Sequence, residues 1–359
     1  MEMLNGFKDS KLSMNLINKI KNEKSEKISI MEVCGTHTNV ILKSGIKSLL
    51  PNNIKLINGP GCPVCVTSQG YIDTAIELTN RKNIIITTFG DLMKVPGKDS
   101  TLNKEKALGK DIRVVYSPLD SIKIAEDNPN KEVVFLAIGF ETTAPIIALS
   151  IEIAQSKKIR NFSILNSLKT MPQAMESLVL NPNLKVDAFL CPGHVATIIG
   201  EEQFKNLALK YKIPMVITGF EVNDILASIC KIVEMKNKCE NELVNLYSRF
   251  VKKEGNINAI NIIYEVFNEC ESYWRGLGKV NNAGLEIKEK YKEFDSLSKF
   301  NISFLKENDN KGCSCGEVLI GLKEPRECKL LGTVCTPLTP IGACMVSEEG
   351  ACSAYYKYC

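Results

Sequence analysis

The sequence has no long hydrophobic run. Its longest apolar stretch, Val133–Phe140, falls far short of the roughly 20 residues that cross a bilayer. Met1–Ser10 is polar and lacks the apolar centre of a secretory signal, so a cytoplasmic protein with no membrane partner is expected. A surplus of one charge is missing too. The net charge is only +4, and the basic cluster Lys19–Lys27 is diluted by Glu and Asn. That pattern reads as a solvated face rather than a nucleic-acid stripe. Phosphate-binding signatures are absent as well. Gly90–Asp99 has six residues between Gly90 and Gly97-Lys98 where a phosphate loop has four, and Asp99 stands where Ser or Thr is needed. No dinucleotide glycine fingerprint follows a strand, so the case for a nucleotide site is weak. Histidine is scarce, with His37 and His194 the only two.

Cysteine, by contrast, is abundant: 14 in 359 residues, seven of them in the last 47. In a reducing compartment such thiols point to metal binding or redox work rather than stable disulfides. An apolar fraction of 44% is enough for sizeable cores, and the length suggests two or three domains.

Short apolar runs alternate with helical patterns through the first two-thirds of the chain. Expected strands are Ile28–Val33, Ile54–Ile57, Asn83–Thr88 and Ile112–Tyr116, then Glu132–Ile138, Phe162–Asn166, Asp187–Leu190 and Met215–Thr218. Helices are expected between them, for example at Ser68–Thr79, Thr143–Gln155 and Val222–Met235. Buried strands alternating with helices imply parallel sheets. The fold class is therefore α/β, with two similar Rossmann-like parallel-sheet domains spanning 1–118 and 119–236. The two strand sets look like loose copies. Cys34-Gly35-Thr36-His37 follows a strand in one, Cys191-Pro192-Gly193-His194 in the other, and Gly-Phe-Glu recurs at Gly139–Glu141 and Gly219–Glu221. Beyond Cys239 the strand signal fades. Glu240–Lys253 and Ala259–Trp274 read as amphipathic helices, which makes 237–359 a mostly helical, loop-rich domain holding the metal.

Ligands in α/β folds sit beyond the carboxyl ends of strands, and several unusual segments fall there. Cys62-Pro63-Val64-Cys65, behind Gly59-Pro60-Gly61, is expected on an exposed turn at a helix start, where a thiol pKa drops. It reads as a redox pair or half a zinc site, against a pair of small buried residues. Cys34 reads as a metal ligand or nucleophile, against a core residue. His37 and His194, each three residues after a strand-end cysteine, read as site residues. Glu141 serves equally as an acid–base group or as a helix N-terminal carboxylate. The tail gives the strongest signal: Cys313, Cys328, Cys335 and Cys352, spaced C-x14-C-x6-C-x16-C. Four thiolates can hold a 4Fe–4S cluster, although spacing alone does not separate cluster from zinc. Cys315 and Cys344 are surplus to such a site and suit a redox dithiol beside it.

These residues, taken together, resemble the HypD family of hydrogenase maturation proteins over nearly the whole chain. The resemblance rests on Met31–Thr38, Gly59–Cys65, Gly139–Pro145, Cys191–His194, Trp274–Gly278, Thr336-Pro337, Gly342–Ser347 and Glu349–Cys352. It implies two α/β domains and a third with a 4Fe–4S cluster. It further implies a complex with a HypC-type chaperone and then with a HypE-type cyanide donor, and a role for Cys34 in holding iron that receives CN and CO. The expected function is a redox-active scaffold for the Fe(CN)2CO unit of NiFe hydrogenases. A free-standing iron–sulfur thiol–disulfide reductase working through Cys62 and Cys65, and a non-catalytic zinc protein, are the alternatives. Cys230, Cys239, Cys270 and Cys359 belong to no motif.

Overall fold

Runs of Ile, Val and Phe that are too short for helices become strands sealed on both faces. Glu132–Gly139 is buried at every residue after the first, as a parallel strand covered by helices must be. The computed structural model describes residues 9–307 and 312–359. Its strands are β1 (Ile28–Glu32), β2 (Ile54–Asn58), β3 (Ile84–Thr88), β4 (Ile112–Val114), β5 (Glu132–Gly139), β6 (Phe162–Leu168), β7 (Ala188–Pro192), β8 (Met215–Thr218), β9 (Leu243–Asn245), β10 (Phe267–Trp274) and β11 (Gly278–Ile287).

Two parallel sheets result, ordered β2-β1-β7-β8-β9 and β4-β3-β5-β6. Each winds outward in both directions from a central pair, β1 with β7 and β3 with β5. Such a pair is the topological switch point at which α/β sheets open a crevice. The expected pair of similar parallel sheets is therefore present.

The expected division at 118/119 does not follow the sheets. The chain leaves the first sheet after β2, builds the whole second sheet, and returns for β7, β8 and β9. The reason lies in pairing. Cys34–His37 and Cys191–His194 are not copies in separate domains but follow adjacent strands of one sheet, with Glu32 in register with Leu190. Local periodicity marks a strand without naming its neighbour.

The mostly helical third domain is corrected as well. Within the expected helix Glu240–Lys253, β9 extends the first sheet, pairing Leu243 with Met215. The expected helix Ala259–Trp274 is a helix only over Ile257–Val266. Phe267–Trp274 then turns into a strand paired antiparallel with β11. The aromatic residues Phe267 and Trp274, both fully buried at its ends, favour the strand and override helical spacing. Trp274 donates its indole N–H to Ala283 O at 2.9 Å. Lys169, buried just after β6, anchors the same hairpin by donating to Ser272 Oγ at 2.9 Å and Tyr273 O at 2.8 Å.

Helices Ser10–Asn22 and Val222–Asn237 seal one face of the first sheet, through Ile17, Ile20, Ile225 and Ile229. Ala144–Ser156 and Ile257–Val266 seal one face of the second. The largest apolar cluster joins both sheets to the tail, including Val33, Cys65, Phe140, Cys191, Trp274, Cys344 and Cys352. The cysteine-rich tail is thus packed into the molecule where the sheets meet. Among the described residues no helix is long and apolar enough to cross a membrane.

Candidate functional site

Because β7 lies beside β1, the residues leaving the two strands emerge together. Cys34 caps the helix Gly35–Lys43, and its Sγ lies 3.7 Å from His194 Nδ1. A cavity of about 400 Å3 opens here. Its walls come from segments after five strands and from the tail: Thr36 after β1, Pro63 after β2, Thr142 and Thr143 after β5, His194 after β7, Phe220 after β8, and Glu349. Both sheets and the tail therefore contribute to one cleft.

Burial governs the chemistry of this cleft. It pushes the Cys34 thiol well above its ordinary range, so a bare thiolate is disfavoured there. A cation bound at the sulfur would reverse that balance. Burial also pushes His194 down to about 4 and His37 down to about 3, so both are neutral at physiological pH. The His194 imidazole therefore offers a lone pair or an N–H, not a charge. His37 bonds through Nε2 to Gly219 O at 3.0 Å, and its buried Nδ1 has no partner among the described residues. Phe220 stacks on both His37 and His194, fixing their rings.

Glu32 closes the site from below. It accepts from Cys34 N at 3.1 Å and Asn58 Nδ2 at 2.9 Å, and also from Thr38 Oγ1. Burial pushes its carboxyl up to about 8 despite these donors. Glu141 is buried beside the cleft. Its neighbours Phe140 and Thr142 line the cavity, but its own Oε1 accepts from Met171 N at 2.8 Å, and Oε2 is buried without a partner among the described residues. Burial pushes Glu141 up to about 7.

The Cys62–Cys65 turn is buried, not exposed. Cys62 is 2% and Cys65 0% accessible; Cys62 caps the single turn Pro63–Val66, and Cys65 lies within it. Cys62 Sγ accepts from Cys65 N at 3.2 Å. Instead of falling at a helix start, the Cys65 pKa is pushed well up by burial. Gly61 places this turn against the site: a Cβ there would stand 2.2 Å from Cys34 N, so only glycine permits the approach. Arg275 holds the far side, donating to the carbonyls of Cys65 at 3.1 Å and Thr67 at 2.9 Å.

From Cys65 a line of sulfurs leads into the tail. Cys344 contacts Cys65, Cys315 and Cys352, with Cys344 Sγ and Cys315 Sγ 2.9 Å apart. Cys315 in turn contacts Cys313. Cys335 Sγ accepts the Ile341 amide at 3.3 Å and lies within electrostatic reach of Cys313 and Cys352. Cys328 belongs to the same loop, where its carbonyl accepts from Leu331 N and Leu331 bridges to Cys335. All four expected cluster thiols are free. Among the described residues no three Cys, His, Asp or Glu side chains converge on a point that would hold a single ion. A four-iron cluster instead binds each thiolate to its own iron, so the donors stand further apart. Loop-borne thiols, one of them accepting an amide N–H, suit such a group.

Reading the sequence missed three contributors. Glu32 had a visible signal, a lone carboxylate in the apolar strand Ile28–Val33. Glu349 and Arg275 lay within motifs already noted, but nothing local ties Glu349 to Thr36 Oγ1, which donates to it at 2.9 Å.

Comparison with known proteins follows the same residues. The family model HypD, described as the hydrogenase formation hypA family, matches residues 11–359. A putative hydrogenase expression/formation protein of Methanocaldococcus jannaschii is 47% identical over 97% of this chain and 96% of its own. Hydrogenase maturation factor HypD2 of Bradyrhizobium diazoefficiens is 43% identical over 100% of this chain and 97% of its own. Hydrogenase maturation factor HypD of Escherichia coli is 42% identical over 92% of this chain and 89% of its own.

Proposed function

The chain belongs to the HypD family, and from that premise we propose that it serves hydrogenase maturation as the scaffold on which the Fe(CN)2CO unit is assembled. One observation carries the reading: Cys34 and His194 meet at a strand switch point, in a cleft from which a line of thiols runs to the cysteine-rich tail. The iron is cargo. Cys34 binds it as a thiolate, the cation lifting the burial penalty on the anion. Neutral His194 orients the incoming group through Nδ1. A HypC-type chaperone supplies a further thiolate, and a HypE-type protein delivers cyanide bound to sulfur.

Freeing cyanide from a sulfur carrier takes two electrons and one proton. Cys315 and Cys344 supply these by closing to a disulfide, which releases two electrons and two protons; the second proton leaves to solvent. Cys313, Cys328, Cys335 and Cys352 would hold a 4Fe–4S cluster, which when bound supplies one-electron chemistry. A free-standing reductase is disfavoured, because a substrate-facing dithiol must be exposed while Cys62 and Cys65 are both buried.

Infrared spectroscopy of the anaerobically purified chaperone complex tests the proposal. CN and CO bands are expected from the native chain, and none from Cys34→Ala at equal protein and iron–sulfide content. Undiminished bands in the variant would move the iron site elsewhere.

A further inference from the structure

Arg275 carries a permanent positive charge into the interior and, among the described residues, forms no ion pair there. It is 8% exposed, and among the described residues its side chain donates only to main-chain carbonyls, those of Cys65 and Thr67. Its own amide donates to Val66 O at 2.9 Å. Among the described residues no Asp or Glu forms an ion pair with it. Carbonyl oxygens satisfy the N–H groups without cancelling the charge, and a buried charge is costly unless a counter-charge stands near. Arg275 shares the wall of a cavity of about 460 Å3 with Cys313 and Cys315. Glu317 also lines the cavity beside Arg275, but it is paired with Lys323 at 2.7 Å, which leaves the thiols as the nearby groups whose charge Arg275 can balance. Gly342 lines the same cavity so closely that a Cβ would lie 2.7 Å from Cys313 Sγ.

We propose that Arg275 is the built-in counter-cation of the tail's metal–thiolate site and raises the reduction potential of the cluster held there. The inference rests on the assignment of Cys313, Cys328, Cys335 and Cys352 as cluster ligands. Four thiolates give a 4Fe–4S cluster a net negative charge, and reduction adds one more. A fixed cation in a poorly screened interior stabilises the more negative state, so it makes the electron easier to accept. The same guanidinium also pins the Cys62–Cys65 turn, so charge and geometry must be separated.

Potentiometric titration of the anaerobically reconstituted full chain, followed by electron paramagnetic resonance, makes that separation. Arg275→Gln removes the charge and keeps one donor; Arg275→Lys keeps the charge and loses the planar fork. With equal iron and sulfide content, the Gln variant is expected at a distinctly more negative midpoint and the Lys variant close to the native value. Unchanged midpoints in both variants, or equal shifts in both, overturn the proposal. Should Arg275→Gln fail to fold, Leu322→Glu places an anion on the partly exposed rim of the same cavity and must also move the midpoint negative. No movement there overturns the proposal equally. A native chain that binds no cluster refutes the ligand assignment itself and this inference with it, whereas a bound cluster with unmoved midpoints refutes this inference alone.

Discussion

A single residue behaves here according to how much water it has lost. Cys34, His37, His194 and Glu32 are each held in the uncharged form by burial. Lys169 shows the same effect where it is easiest to measure. Burial pushes its amine from 10.5 down to about 7. Between those values the unfolded chain holds a proton that the folded chain has released. Stability should therefore rise with pH from about 7 to 10.5, and the penalty should be complete below 7. A tenfold change in proton affinity corresponds to about 1.4 kcal/mol, so the whole span is worth a few kcal/mol. Lys169→Met lacks the titrating group. In urea unfolding at pH 7, 8, 9 and 10, the native chain should gain stability relative to this variant across the series. Parallel profiles would show that the amine keeps an ordinary pKa.

At the level of elements, strand ends were legible and burial was not. Ile28–Val33, Glu132–Ile138 and Met215–Thr218 announce themselves as β-branched or aromatic runs, and the residues that follow them do reach one cleft. The sequence of Cys62–Cys65 looks like an exposed helix start, because Gly-Pro-Gly marks a turn. Nothing local reveals that Arg275 and Cys344 close over that turn from a distant part of the chain. Val266–Phe267 misled for a related reason: helical spacing continues across it, while the switch to a strand is decided by Trp274 packing under Ala283. The tail thiols give this scale its prediction. Cys315 and Cys344 are already in contact and buried together, so oxidation should join them before any other pair. Mass mapping after rapid thiol trapping should find that linkage in oxidised samples and lose it on reduction. Free alkylation of both under every redox condition would remove the dithiol from the scheme.

Across the whole molecule, the cleft exists only because distant stretches of chain are brought together, and the first sheet is the clearest case. Ser29 N donates to Asp187 Oδ2 at 2.8 Å across 158 residues of sequence, while the second sheet is built from one uninterrupted stretch between β3 and β6. That arrangement imposes a timetable during synthesis. At ribosomal rates of about 5–20 residues per second, β1 leaves the exit tunnel on the order of ten seconds before β7 can join it. The second sheet has all its strands in that interval and is free to form first. β1 and β2 meanwhile wait as a two-stranded fragment with an open edge, a form that is marginal in water and prone to stray pairing. Nascent chains stalled after β6 should show protease protection across β3–β6 and none across β1 and β2, and protection of β1 should appear only once β8 has emerged. Early protection of β1 would mean that the helix Ser10–Asn22 shelters it without its partner strand. The cleft, whose walls come from both sheets and the tail, is accordingly among the last features of the molecule to exist, and a growing chain has no such site to fill early.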